Sequence, residues 1–274
     1  MKVLVTGTTG YIGSAIAENL TAQGHTVVGI ARSEGAATTL RAKGYEVVHG
    51  DITSPESIAT AARTADAVIH TASTNDMNAP AADRAVVTAL LDALEGSNKR
   101  FIYTSGVWGY GNTGEQPVDE DTTGTAPMIV AWREEIEHIV RRSTSRQIHP
   151  IIIRPAMVYG RGGGMVAMFA GQLAQGGSVA YPGTGENHWP LIHVGDLANL
   201  YVRALDKAAA GSVYNGVTEE SMRVKDIAAA IANSRGVAAE AWPIEEARSA
   251  MGPMADALTM DQHVSGARAR QQLG

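Results

Sequence analysis

The sequence predicts an α/β protein in which a doubly wound parallel sheet is followed by a smaller, mainly helical carboxy-terminal lobe. Three observations carry this. Over the first 155 residues, short β-branched runs alternate with segments of helical spacing. The runs are continuously apolar, as strands covered on both faces are. Between the first run and the first helical segment stands "TGTTGYIG", with glycines at 7, 10 and 13, the kind of loop such a sheet places at a strand's carboxyl end.

Taken in order, "KVLVT", "HTVVGIAR", "YEVVHGDI", "DAVIHTAS", "RFIYTSG" and "HPIIIRP" read as strands, and residues 11–23, 34–43, 55–64, 80–95 and 128–145 as the helices between and after them. After Pro155 the rhythm changes. "RGGGMVAMFAGQLAQGG" reads as a helix between glycine punctuators, "SVAYPGTGENHWP" as an extended loop, "VGDLANLYVRALDKA" as a helix and "GSVYNGV" as a strand. From Ser221 the pattern is mostly helical, with "VKDIAAAIANSRG" closed by glycine. The expected division is a nucleotide-binding domain from 1–155 plus 191–216 and a substrate lobe from 156–190 plus 217–274.

Composition excludes several function classes. A net charge of −6 with no block of like charges gives no broad surface for nucleic acid or anionic membranes. The absence of cysteine removes disulfides and thiolate chemistry and suits a reducing cytoplasm. The amino-terminal apolar stretch is too short for a signal peptide, and no run reaches the roughly 18 apolar residues of a membrane span. The expected location is cytoplasmic. "DEDTTG" reads as a solvated loop, and no metal site is expected.

The glycine spacing has a physical reading. Gly7 permits the tight turn, Gly10 lets backbone N–H groups approach a pyrophosphate, and Gly13 permits close helix-to-strand packing, which together describe a Rossmann-type dinucleotide site. At the end of the second strand, Ala31, Arg32 and Ser33 stand where a carboxylate would bind the ribose hydroxyls of NAD. An arginine there pairs with a 2′-phosphate, so NADP(H) is the expected cofactor. Asp51, at the end of the third strand, is placed either to accept from the adenine amino group or to cap the following turn.

"APMIVAWREEIEHIV" carries an anomaly. At 100° per residue, Arg133 falls within about 40° of Ile129 and shares a stripe with Ile136 and Val140. A core-facing guanidinium needs an anion or an escape to solvent. It has two readings: a contact with a bound cofactor, or a surface pair with Glu137 at i+4.

"VTGTTGYIG", "GDIT", "FIYTSGVWGYG", "RPAMVYG" and "WPLIHVGDLA" together resemble the extended or atypical branch of the short-chain dehydrogenase/reductase superfamily, akin to nucleoside-sugar epimerases, over almost the whole chain. The resemblance implies a Ser or Thr after the fifth strand and a Tyr-x-x-x-Lys on the next long helix. Here Gly106 takes the hydroxyl position with Ser105 one residue earlier, Arg133 stands where Lys belongs, and Ile129 takes the tyrosine's place. The implied role of Arg133 is to face the nicotinamide ribose and its phosphates. The expected cofactor shell is Gly7, Thr9, Gly10, Tyr11, Ile12, Gly13, Arg32, Ser33, Asp51, Ile52, Thr71, Ala72, Ser73, Arg133, Pro155 and Val158.

Isoleucine cannot donate a proton, and an arginine's pKa is too high for a practical general acid, although its charge stabilises an oxyanion. The replacement candidates are Ser105, Tyr110 and Tyr159, on loops at strand ends where ligands sit in such sheets, with Tyr110 the first choice; His188 and His193 are further acids of suitable pKa. Ser105, Tyr110 and Arg133 are the expected catalytic set. Tyr110 also has a plain structural reading, packed under its loop with the hydroxyl bonded to backbone.

Three functions follow as expectations. The first is an NADP(H)-dependent reductase acting on a small, fairly apolar carbonyl, imine or activated alkene. The second is a non-redox isomerase, epimerase or lyase on the same scaffold, and the third is a non-catalytic NADP-binding redox sensor. The two long helices after the fourth and fifth strands have two readings, a homodimer seam that makes a four-helix bundle with a twin's, or a plain solvated face carrying Glu134, Glu135, Arg141 and Arg142.

Overall fold

In the computed structural model, which describes residues 1–172, 177–218 and 221–274, the first strand shows how the amino-terminal sheet is held. Val3, Leu4 and Val5 of β1 (Lys2–Thr6) are all fully buried. Alternation sends Val3 and Val5 into one apolar layer and Leu4 into another. Each such side chain contributes about 1.5–3 kcal/mol on burial. Continuous apolarity therefore means two covered faces.

The strands that follow are β2 (Thr26–Ala31), β3 (Glu46–His49), β4 (Ala67–His70), β5 (Arg100–Thr104) and β6 (His149–Pro155), alternating with α1 (Tyr11–Ala22), α2 (Glu34–Ala42), α3 (Pro55–Thr64), α4 (Ala79–Leu94) and α5 (Trp132–Arg142). After β7 (Met157–Gly160) come α6 (Gly164–Gln172), β8 (Val179–Pro182), β9 (His188–His193), α7 (Val194–Lys207) and β10 (Ser212–Gly216). The main sheet has the order β10-β6-β5-β4-β1-β2-β3, parallel throughout. The strand order reverses next to β1, and the crevice at this switch point is where ligands sit in such sheets.

The remaining elements are β11 (Ser221–Arg223), α8 (Val224–Arg235), β12 (Ala239–Trp242), α9 (Ile244–Met251), α10 (Pro253–Leu258) and α11 (Ala267–Leu273). Two small sheets, β11-β9-β7 and β12-β8, pack with α6 and α8 around fully buried Phe169 and Trp189.

Three expectations change. The loop expected over 178–190 contains β8 and the start of β9, because β12 and β11 supply partners that no local pattern reveals. The expected boundary at 190/191 falls inside β9, whose pairing with β7 and β11 places it in the small sheet. The last helix leaves the substrate lobe: Leu273 is buried in the amino-terminal core, Tyr214 donates to Gln272, and Lys207 donates to the Leu273 carbonyl. Part of the helix expected over 161–177 lies outside the described residues. No helix among the described residues is long and apolar enough to cross a membrane.

Candidate active site

The glycine loop has the shape a pyrophosphate needs. Gly7 has φ +74°, and a Cβ there would stand 2.8 Å from Thr71 Oγ1. A Cβ on Gly13 would lie 2.2 Å from the Gly7 carbonyl oxygen, which locks the helix against the strand turn. A Cβ on Gly10 meets only that carbonyl, at 3.1 Å, so its outer side is open. α1 begins there with no side-chain cap and no acid in its first turn. Its free N–H groups and positive dipole end are left for an anion.

Beside this loop, a cavity of about 710 Å³ opens at the carboxyl ends of β4, β5 and β6. Of the expected site residues, Tyr11, Ile12, Thr71, Ala72, Ser73, Ser105, Tyr110, Arg133, Pro155 and Val158 line it. Gly7, Thr9, Gly10, Gly13, Arg32, Ser33, Asp51 and Ile52 lie outside its wall, in the glycine loop and at the ends of β2 and β3. That separation suits an extended ligand whose adenosine end passes over β2 and β3.

Arg32 is exposed and makes no ion pair or hydrogen bond with another described residue. Ser33 caps α2, its hydroxyl oxygen accepting from the Ala36 N–H at 3.3 Å. Asp51 Oδ1 accepts from the Thr53 N–H and hydroxyl, both at 2.8 Å, so its turn-capping role is realised. Those two bonds, with the Arg32 charge behind them, hold its carboxyl below the usual range.

Arg133 resolves its anomaly inside the protein. It donates to the Thr104 carbonyl at 3.1 Å and to the Tyr103 hydroxyl at 3.3 Å, with its guanidinium 4.4 Å from the centre of the Trp132 ring. The surface pair with Glu137 does not form, because Glu137 is bonded to Arg154. The Ile129 partner also changes. α5 starts only at Trp132, and the turn before it is tightened by i→i−3 bonds, from the Val130 N–H to the Pro127 carbonyl and from the Arg133 N–H to the Val130 carbonyl. The buried stripe beside Arg133 is therefore Ile136, Glu137 and Val140.

Behind Tyr103 runs a buried chain. Its hydroxyl donates to Asp83 Oδ2 at 2.6 Å, and Asp83 Oδ1 lies 2.9 Å from His70 Nε2. His70 Nδ1 lies 2.8 Å from Thr6 Oγ1, which already accepts from the Thr71 and Ala72 N–H groups. The single Thr6 hydroxyl proton therefore goes to Nδ1, and Nε2 carries the proton given to Asp83. Burial raises the Asp83 pKa, but the hydrogen bonds from His70 and Tyr103, with the Arg133 charge beyond, outweigh it and hold the carboxyl below its ordinary value. Asp83 is thus a buried anion that Arg133 reaches through the Tyr103 hydroxyl, and the same chain reaches the backbone of 71 and 72.

The candidate proton donors separate. Tyr110 lines the cavity, but its hydroxyl donates to Asn215 Oδ1 at 2.9 Å and accepts from Arg154 at 2.8 Å. Burial pushes its pKa up, with Arg154 opposing. This is the structural reading of Tyr110, with side chains rather than backbone as partners. Arg154 also meets Glu137 at 2.5 Å, with only 16% and 10% of the two side chains exposed. Tyr159 packs edge-on to His193, whose Nδ1 accepts from the Gly195 N–H as the cap of α7, and neither lines the cavity. Ser105 is half-buried on the cavity wall, and its hydroxyl bonds to no other described residue.

Sequence reasoning did not find His70, Asp83, Tyr103 or Arg154, and named Glu137 only beside Arg133. Asp83 had a signal of the same kind as Arg133, since it shares an apolar face with Ala79, Val86, Val87 and Leu90. "DEDTTG" is also not wholly solvated. Glu120 is only 6% exposed, accepts from the Asn215 N–H at 2.8 Å and faces Arg268.

Comparison with known proteins fits this geometry. Residues 3–216 match the model of the NAD dependent epimerase/dehydratase family. An uncharacterized protein of Saccharomyces cerevisiae is 32% identical over 282 residues, covering 100% of this chain and 94% of the relative. Epimerase family protein SDR39U1 of Homo sapiens is 28% identical over 243 residues, covering 81% of this chain and 76% of the relative. Among solved structures, a dTDP-glucose 4,6-dehydratase double mutant from Streptomyces venezuelae with NAD bound superposes with a TM-score of 0.85 at 18% identity, over 100% of this chain and 91% of that one.

Proposed function

The chain belongs to the NAD dependent epimerase/dehydratase family, and from that premise we propose that it is an NADP(H)-dependent reductase of a small, fairly apolar carbonyl, imine or activated alkene. The observation that carries this reading is the continuity of one surface, from the open Gly10 loop to a cavity holding Thr71–Ser73, Ser105, Arg133 and Pro155. Bound nicotinamide supplies or accepts a hydride. The chain's own residues hold and polarise. The uncapped α1 amino terminus takes the pyrophosphate. Arg32, exposed and in no hydrogen bond or ion pair with a described residue, takes the 2′-phosphate. Arg133 faces the ribose and the developing oxyanion, and the Ser105 hydroxyl hydrogen-bonds that oxygen.

Substrate polarity follows from the wall. Val107, Trp108, Val130, Ala156 and Met157 make much of it apolar. A sugar-nucleotide diphosphate calls for free arginines in the second lobe. Arg161 is instead paired with Glu18, and Arg223 with Asp226 and Glu186. Arg154 lines the cavity but is held by Glu137 and Tyr110.

Fluorescence titration of NADPH and NADH tests the cofactor half. The expected result is tighter NADPH binding, with Arg32→Ala weakening NADPH by about 1.5–3 kcal/mol and leaving NADH nearly unchanged. Equal affinity for the two would overturn it. Substrate-dependent loss of NADPH absorbance across a panel of carbonyl compounds tests the reaction. Product formation without net nucleotide turnover would select the isomerase or lyase reading that the family also supports.

A further inference from the structure

Away from the cavity, the start of β9 meets the extended segment that follows α10. The Gln262 N–H donates to the His188 carbonyl at 3.0 Å, and Asn187 donates to the carbonyls of Leu258 and Met260, both at 3.0 Å. In extended backbone, alternate side chains share a face, so Asp261 and His263 project together and Gln262 points away. His188 Nδ1 lies 2.9 Å from Asp261 Oδ1 and His263 Nε2 lies 3.6 Å from the same oxygen. The two rings are 4.4 Å apart, and one donor atom from each of the three side chains falls within 4.8 Å of the others.

We propose that His188, Asp261 and His263 form a binding site for a zinc-class divalent cation, two imidazoles and a carboxylate with a remaining position for water. Tetrahedral zinc at its usual bond lengths of about 2.0–2.2 Å sets neighbouring donor atoms roughly 3.3 Å apart. The two distances to Asp261 Oδ1, 2.9 and 3.6 Å, straddle that value, and with every donor within 4.8 Å of the others, side-chain rotation alone brings the two imidazole nitrogens to it. The side chains are 22 to 30% exposed, open enough for an ion to enter.

The backbones of the ligands are fixed in advance. The His188 N–H donates to Asp261 Oδ1 at 2.7 Å, the Asp261 N–H donates to Asn112 at 2.8 Å, and the His263 N–H donates to the Thr113 hydroxyl at 2.8 Å. Two imidazoles select zinc, cobalt or nickel over magnesium or calcium. The bound ion ties 261–263 to β9 and, through Gln262, steadies the cavity wall, since the Gln262 amide donates to the carbonyls of Val107 and Gly111 at 3.0 and 2.8 Å.

The test is calorimetric titration of ZnCl₂ into the tag-free full chain after chelator dialysis, beside His263→Ala and Asp261→Asn. The expected result is one saturable site per chain that excess Mg²⁺ does not displace, weakened by about tenfold or more in each variant. Zinc raises Tm in the parent and not in His263→Ala, while circular dichroism in chelator shows the variant folded. Substituting Co²⁺ gives visible absorption bands that His263→Ala loses. Absence of a saturable site, or zinc affinity unchanged by His263→Ala, overturns the assignment. Neither outcome bears on nucleotide binding, so this inference stands or falls separately from the reductase reading.

Discussion

Asp83 and Arg133 stand on opposite sides of one hydroxyl, that of Tyr103, which donates to the first at 2.6 Å and accepts from the second at 3.3 Å. A buried carboxylate and a cleft-lining guanidinium are thereby linked without touching. The same carboxylate reaches, through His70 and Thr6, the backbone of Thr71 and Ala72 on the cavity wall.

That linkage makes the two charges non-additive. In a cycle of Asp83→Asn, Arg133→Ala and the double variant, NADPH affinity shows a coupling energy of about 0.5–3 kcal/mol. Pairing Asp83→Asn with Arg32→Ala, at the far end of the nucleotide site, gives simple addition. Fluorescence titration measures both cycles, and addition in both would remove Asp83 as the counter-ion of Arg133.

The lowered Asp83 pKa sets a stability window. Its ionised form contributes fully above the ordinary aspartate value of 3.8, and the contribution is lost as pH falls through the lower folded value. Asp83→Asn therefore costs about 1–3 kcal/mol at neutral pH, and the gap to the parent narrows below about pH 4. Urea unfolding of the two proteins at pH 7 and pH 3.5 reads the difference. A gap that does not change with pH would show that the charge is not what matters.

The three glycines of the first loop fail differently. Gly13→Ala drives a methyl to 2.2 Å from the Gly7 carbonyl and costs about 1–3 kcal/mol of stability or more. Gly7→Ala adds the strain of a positive φ to a similar clash. Gly10→Ala meets one atom at 3.1 Å and leaves Tm nearly unchanged, while its methyl fills the approach to the α1 amino terminus and removes nucleotide binding. Thermal melts beside NADPH titrations separate these outcomes.

Ser105 and Tyr110 exchange the ranks their positions suggested. Ser105→Ala lowers kcat by about 10²-fold with Tm unchanged, the scale of one lost general-acid or oxyanion contact. Tyr110→Phe strips the hydroxyl from Arg154 and Asn215, so it lowers Tm more than it lowers kcat. The reverse pattern in steady-state kinetics and melting would return the chemistry to Tyr110.

Much of this was legible in the residues themselves. The order of strands and helices to Pro155 follows from apolar periodicity, because each run carries its own pattern of buried positions whatever element covers it. Gly7, Gly10 and Gly13 declare a close backbone approach, since a side chain is what the geometry forbids. Arg133 was conspicuous as a charge on an apolar stripe, and Asp83 carried the same mark on α4.

What pattern alone left open was partnership across long sequence separations. Whether Arg133 met Glu137 or the sheet depended on Arg154 claiming Glu137 from β6, and the Tyr110 hydroxyl found its acceptor in Asn215, 105 residues away. The strands β8 and β9, the return of α11 to the amino-terminal core, and the meeting of His188 with Asp261 and His263 are of the same kind. Periodicity records which face of an element is buried. Only the closed tertiary structure decides which polar groups meet there, because a desolvated hydrogen bond or charge pair is chosen by three-dimensional proximity rather than by spacing along the chain.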